Sequence, residues 1–231
     1  MPHSLSDLPD LALDPVLQEL YTAEDGLTAL KSLSATNRHI RAAALPRIFS
    51  SIGVVGTLGA CAGSMRDILT SGTLATYVRS FTLRVDVSEA VIHDYHTYYN
   101  DQTNTLARLV ASSDAVECAK ALVDLLIATA MQGLRSLTVE PHPIFDTTFV
   151  AAIFNHHLAT SSVGLDLSHI TSLSTSTCCT VVAAACPSVT RLELTVCHDD
   201  DTGITEEEAV IWGALTEVLY LTVGIMSACA A

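Results

Sequence analysis

Basic residues are scarce in this chain. Its 231 residues carry 11 Lys plus Arg against 25 Asp plus Glu, a formal net charge of −14. Proteins that grip nucleic acid match phosphates with clustered Lys and Arg, and no such cluster occurs. The same imbalance disfavours anionic membrane surfaces. Charge of either sign is sparse at 16%, against 49% hydrophobic residues. Intrinsic disorder needs the reverse balance. Eleven Gly and seven Pro are too few for a collagenous or low-complexity chain.

A secretory signal is also lacking. Met1 to Asp14 is acidic and broken by Pro2 and Pro9. The seven Cys (61, 118, 178, 179, 186, 197 and 229) are odd in number and irregular in spacing. They read as reduced thiols, mostly small core residues, in an intracellular protein of cytoplasm or nucleus. Ala209 to Ala231 is apolar and long enough to cross a bilayer. Glu217 near its middle and the absence of basic flanks argue against a tail anchor, so no membrane partner is expected.

What is present divides in two. Leu8 to Ile52 reads as a small helical unit. Asp14-Pro15 has the form of a helix start, with Asp as cap and Pro in the first turn. Leu27, Leu30, Leu33 and Ile40 mark a second helix, and Ala42 to Phe49 a third, interrupted by Pro46. Beyond this unit the rhythm changes to short alternating apolar runs. These are Val78 to Val85, Leu134 to Val139, Val163 to Leu167, Val189 to Val196 and Leu215 to Val223. Alternation of this kind predicts strands. Leu137 to Leu165 spans 28 residues, Leu165 to Leu192 spans 27, Leu192 to Leu219 spans 27, and Phe81 to Leu137 spans 56. A fixed period in the twenties predicts a strand–helix solenoid. Helices are expected between the strands. The strongest is Ala115 to Met131, with an apolar stripe of Val116, Ala119, Leu122, Val123, Leu126 and Ile127. Thr147 to Leu158, Cys178 to Ala185 and Thr205 to Ala214 are the others.

The expected fold class is therefore α/β. A helical unit over 1–52 is followed by a linker and first repeat helix over 53–77. An irregular solenoid follows over 78–231, with an insertion at about 86–113. Alternate strand residues would face a partner from the solenoid's concave side. Arg84, Glu140, Asp166, Glu193 and Tyr220 are the target-binding candidates, although each can equally be a solvated side chain. The net charge is −4 before residue 116 and −10 after it, so most acidity falls in the repeat half.

Leu8-Pro9, the aliphatics through Leu20, the run from Leu27 to Arg41 and the closing Ala44-Leu45-Pro46-Arg47-Ile48-Phe49 resemble an F-box. Leu74 to Leu83 resembles the first strand region of fungal F-box proteins with degenerate leucine-rich-like repeats, and Ala185 to Leu194 resembles their repeat consensus. The match to the box is imperfect, because Leu11 stands where the family places an acidic residue. The resemblance implies a substrate-recognition subunit of a cullin-type ubiquitin ligase. The box would dock on a Skp-type adaptor and the repeats would hold a target protein. Leu8, Pro9, Leu13, Val16, Leu17 and Leu20 are the adaptor-binding candidates. The same residues can instead pack against Leu30 and Leu33. A repeat-type interaction module without a ligase role is the alternative.

No catalytic residue, cofactor or metal is expected. Gly59-Ala60-Cys61-Ala62-Gly63 matches a nucleophile elbow with Cys in the Ser position, so a Cys61-dependent hydrolase is the third reading. His93, Asp94, His96 and Asp101 are too loosely spaced for a usual metal site, and the pairs His156-His157 and Cys178-Cys179 suit helix ends and core better. Gly53-x-x-Gly56-x-x-Gly59 has neither the dinucleotide glycine order nor a phosphate-loop Lys.

Overall fold

Alternating apolar residues on six short segments pair into one parallel sheet whose strands lie in chain order. The structure, a computed structural model, describes residues 10–86, 107–108, 110–130, 133–141, 147–160, 165–176, 179–197, 215, 218 and 220–226. Among these, helices α1 (Asp10–Thr22), α2 (Gly26–Ser34) and α3 (Arg38–Ile48) come first. Then follow β1 (Ser51–Gly56), α4 (Leu58–Thr70), α5 (Leu74–Tyr77), β2 (Ser80–Val85), α6 (Ser113–Ala130), β3 (Ser136–Pro141), α7 (Thr147–Thr160), β4 (Ser172–Ser176), α8 (Thr180–Ala184), β5 (Arg191–Cys197) and β6 (Tyr220–Met226). The fold is mixed α/β, with β1 and β6 at the two edges of an open sheet.

The side-chain period of two sorts each strand by face. Val54, Phe81, Leu83, Val85, Leu137, Val139, Leu173, Leu192 and Leu194 form one buried cluster with residues from α4, α6, α7 and α8. Among the described residues, α4, α6, α7 and α8 therefore lie on that side. The other face carries Ser51, Ser80, Ser136 and Ser172 in one register row, continuing to Arg191 and Tyr220. A second row carries Gly53, Thr82, Thr138, Ser174, Glu193 and Thr222.

The starts of β2 to β5 repeat one backbone device. The Ser50 carbonyl accepts the N–H groups of both Arg79 and Ser80. The Arg79 carbonyl accepts from Arg135 and Ser136, the Arg135 carbonyl from Thr171 and Ser172, and the Thr171 carbonyl from Thr190 and Arg191, all at 2.8–3.1 Å. This recurrence sets the strands in common register and satisfies backbone groups where the chain turns into the sheet.

The helices pack through small residues. Cys61, Ala62, Met65 and Ile68 of α4 are buried, as are Ala115, Cys118, Ala119, Leu122, Leu125 and Leu126 of α6. The predicted α6 stripe is turned by part of a turn. Ala119, Leu122 and Leu126 face inward as expected, but Val116 and Ile127 are exposed. Ala and Cys allow α4 and α6 a close approach that β-branched side chains would block, so this face turns inward. Thr129 is buried without cost because its hydroxyl donates to the Leu125 carbonyl at 2.7 Å.

A separate cluster joins α1, α2 and α3: Leu13, Leu17, Leu30, Ile40, Ala44 and Ile48 are buried together. The turn between α1 and α2 requires glycine. Asp25 has a left-handed φ of 59°, and a Cβ on Gly26 would overlap the Leu20 carbonyl oxygen. Asn37 caps α3, its side-chain oxygen accepting the His39 N–H at 2.6 Å.

Several expected boundaries move. α1 begins at Asp10, not at Asp14, and Pro15 sits inside the helix. Asp14 is therefore not a cap; it pairs with Arg47 of α3 at 2.7 Å. Ile40 belongs to α3, which runs unbroken through Pro46. Residues 53–77, expected as linker and helix, also hold most of β1, which begins at Ser51. The largest change is at the third expected strand. Of Val163 to Leu167 only residues 165–167 are described; they are irregular, and the strand there is Ser172–Ser176. In register, Leu137 pairs with Leu173 and Leu173 with Leu192, intervals of 36 and 19 residues. The uniform period near 27 does not hold. The insertion at 86–113 and the helix expected over Thr205 to Ala214 lie mostly or wholly outside the described residues.

Candidate functional site

The six adaptor-binding candidates separate by face. Leu8 and Pro9 lie outside the described residues. Leu13 and Leu17 are 0% exposed, which corrects their assignment as partner contacts. They are one helical turn apart on α1 and both point at Leu30. Leu20 is half-buried against the same cluster. Only Val16, 36% exposed, stands on the surface. Leu27 of α2, one of the residues that marked the second helix by spacing, is likewise 41% exposed. Heptad-like spacing identifies a stripe but not which neighbour covers it.

Of the target-binding candidates, Arg84 and Glu193 have the strand parity opposite to the helix-covered face. Arg84 of β2 and Glu140 of β3 are register partners. Arg84 also lies 3.8 Å from the Asp86 carboxylate. Glu193 is exposed on β5, and Tyr220 is its sheet neighbour's first residue, paired with Arg191. Asp166 is a correction: it belongs to the irregular segment ahead of β4, not to a strand. Its Oδ1 accepts the Ser168 N–H at 2.9 Å, and these Ser168 hydrogen bonds hold its carboxyl below the usual range.

Sequence reasoning missed the arginines at the strand starts. Arg79 and Arg135 occupy equivalent places in Val78-Arg79-Ser80-Phe81-Thr82-Leu83 and Leu134-Arg135-Ser136-Leu137-Thr138-Val139. The repeated order of apolar, Arg, Ser, apolar, Thr, apolar was a usable signal. Nη1 of Arg79 donates to the Thr76 and Val78 carbonyls at 3.0 Å. Nη1 of Arg135 donates to the His169 carbonyl at 3.2 Å. Burial, aided by Arg135 and opposed by Asp166, pushes the His169 imidazole below its ordinary value.

Cys61 does sit just after a strand-to-helix turn, as a nucleophile elbow would place it. It is nevertheless wholly buried on α4, and its Sγ donates to the Gly56 carbonyl at 3.2 Å. Burial, with the Asp86 charge, raises its thiol from 9.0 to about 11. Cys118 is raised to about 12 by burial and then by Cys61 and Asp114, and Cys186 to about 12 by burial. An activated thiolate needs the opposite setting. In the native chain these thiols should react with maleimide at least about 100-fold more slowly than in denaturant; fast native labelling of Cys61 would revive the hydrolase reading. The folded state also keeps protons that unfolded thiols release. Stability should be whole below pH 9.0 and fall as pH rises toward 11 to 12.

The remaining candidates gather no site. His93, Asp94, His96 and Asp101 lie outside the described residues. The His157 ring nitrogen Nε2 meets the Val110 carbonyl at 2.7 Å, and the His156 ring stacks edge-on against it at 4.9 Å. Among the described residues no three His, Cys, Asp or Glu converge. A groove of about 340 Å³ between α4 and α6 is lined by Arg66, Thr70, Glu117, Lys120 and Asp124, and the Arg66–Glu117 ion pair spans it. Among the described residues no helix is long and apolar enough to cross a membrane. Within the apolar run over 209–231, Tyr220–Met226 is a strand paired with β5. No protein-family model matches the chain, and no curated protein matches it.

Proposed function

We propose that the chain is a substrate-recognition subunit of a cullin-type ubiquitin ligase. Its helical unit, α1 to α3, acts as a degenerate F-box that docks on a Skp-type adaptor. Its strand–helix array acts as an irregular leucine-rich-like solenoid that holds a target protein. The chain itself would carry no catalytic residue and would work in the cytoplasm or nucleus, by tethering its target near the ubiquitin-transfer machinery.

One observation carries this reading: among the described residues there are two separate cores, each with a face that no described element covers. The helical unit closes Leu13, Leu17, Leu30, Ile40, Ala44 and Ile48 on themselves, yet leaves Val16 and Leu27 outside. The sheet buries one face under helices and leaves a polar face of Ser, Thr, Arg and Glu. Exposed aliphatics on a small helical unit suit a protein partner. An adaptor pull-down with the full chain tests the proposal. Wild type should bind, and Val16→Asp with Leu27→Asp should weaken binding at least about tenfold while leaving the fold intact. If wild type does not bind, the chain is instead a repeat-type interaction module without a ligase role. The uncovered sheet face favours that second reading equally.

A further inference from the structure

β1 is an edge strand, so half of its backbone groups have no strand beside them. Two hydrogen bonds identify that half. The Ser50 carbonyl accepts the Ser80 N–H, and the Gly56 carbonyl accepts the Asp86 N–H. In a parallel pair the N–H and C=O of one residue point the same way, and successive residues alternate. Ile52, Val54 and Gly56 therefore turn toward β2. Ser51, Gly53 and Val55 turn their N–H and C=O groups to the free edge. Among the described residues nothing pairs with those groups, and all three residues are exposed.

Proteins blunt such edges with a charge, a proline or a bulge. Ser51-Ile52-Gly53-Val54-Val55-Gly56 has no charge and no Pro, and its register with β2 is unbroken. Val55 is 59% exposed, the highest value for a large aliphatic among the described residues. The helical unit meets the chain just ahead of the strand, where Tyr21 Oη lies 3.2 Å from Ser50 Oγ, and its cluster holds no β1 residue. A Cβ on Gly53 would meet nothing within 4 Å.

The edge is complementary to itself. Gly53 is the middle one of the three outward-facing residues. A second copy turned about a two-fold axis at Gly53 sets Gly53 against Gly53 and Ser51 against Val55. Each is then a pair that exchanges both N–H···O bonds, and every outward group of both strands is used. On the helix-covered side the same register sets the half-buried Ile52 against Val54 and continues the apolar row across the junction. Charge favours the same edge. The net is −4 before residue 116 and −10 after it, and the strands lie in chain order, so the more acidic half lies toward β6. Copies that meet at the uncharged β1 keep those halves apart, which lowers their repulsion.

We propose that the chain self-associates as a symmetric dimer through antiparallel β1 strands, joining two six-stranded sheets into one. A strand pair this short buries little surface, so the dimer is weak and depends on concentration. The inference is independent of the ligase reading.

Sedimentation equilibrium of the full chain over about 1 to 300 μM tests it. Wild type should move from 24.5 kDa toward twice that mass. At the high end, amide exchange at Ser51, Gly53 and Val55 should slow at least about threefold, while Ile52 and Val54, already bonded to β2, change little. Gly53→Pro deletes the central outward N–H, a change that an edge strand tolerates, and should hold the chain at 24.5 kDa. Val55→Lys puts a charge on the exposed edge and should weaken association at least about tenfold. Urea midpoints close to wild type separate lost pairing from misfolding. Glu193→Gln, on β5, should associate as wild type does. A monomeric wild type at every concentration overturns the proposal. So does a dimer that Gly53→Pro and Val55→Lys both leave intact, or one that leaves exchange at Ser51, Gly53 and Val55 unchanged.

Discussion

Replacing Phe81 with alanine is expected to cost about 3–5 kcal/mol of stability. Phe81 is 1% exposed on the sheet's covered face. Its register partners are Ile52 of β1 and Leu137 of β3, and it belongs to the large cluster that also holds α4, α6 and α7 residues. Domains are stable by only about 5–15 kcal/mol in total, so the loss is a large fraction. Urea unfolding should show a lower midpoint with an unchanged slope. A cost below about 1 kcal/mol would mean that this face is not packed as described.

Leu17→Asp should act as strongly but in a different place. The side chain is 0% exposed in the cluster of α1, α2 and α3. Putting a carboxylate there costs about 3 kcal/mol or more, since no buried cation is at hand to pair with it. Arg47 is already committed to Asp14 and to the Ala43 carbonyl. Because the two cores are separate, amide exchange should speed up across α1 to α3 while β2, β3 and α6 keep their protection. Val16→Asp, one residue away but on the surface, should change stability by no more than about 0.5 kcal/mol. Equal effects from the two substitutions, or loss of protection in the sheet, would contradict two independent cores.

The contrast between Val16 and Leu17 shows where sequence reading stopped. Both belong to one apolar run, and both were natural candidates for a partner surface. The spacing that places Leu13 and Leu17 on one helix face cannot say whether that face meets Leu30 or a partner. The same limit applies on α6, where six apolar positions were legible but the small residues Ala115 and Cys118 turned the helix. β4 was missed for another reason. Ser172–Ser176 has a single apolar aliphatic, Leu173, and is a strand because β3 and β5 supply hydrogen bonds on both sides. Val163 to Leu167 has better alternation, yet its described residues, 165–167, are irregular. The interval of 55 from Leu137 to Leu192 divides evenly in the apolar pattern, and unevenly, as 36 and 19, in the fold. That Arg84 and Glu193 lie off the helix-covered side was legible because strand period alone assigns a side. The strand-start arginines were not singled out, because an Arg before a strand gains meaning only when its neighbour's backbone is known to lie beside it.

Sequence alone determined the class of the fold: a helical beginning, then strands and helices in alternation, enough aliphatics for a core, and too few cations for nucleic acid. Those features are local or compositional, and hydrophobic periodicity carries them. Tertiary structure decided which aliphatics are interior, which segment becomes β4, why Cys61 is a buried thiol, and that Arg79 and Arg135 are neighbours. Each of these depends on what a residue meets across the fold, and residues 56 positions apart meet only once the sheet has formed.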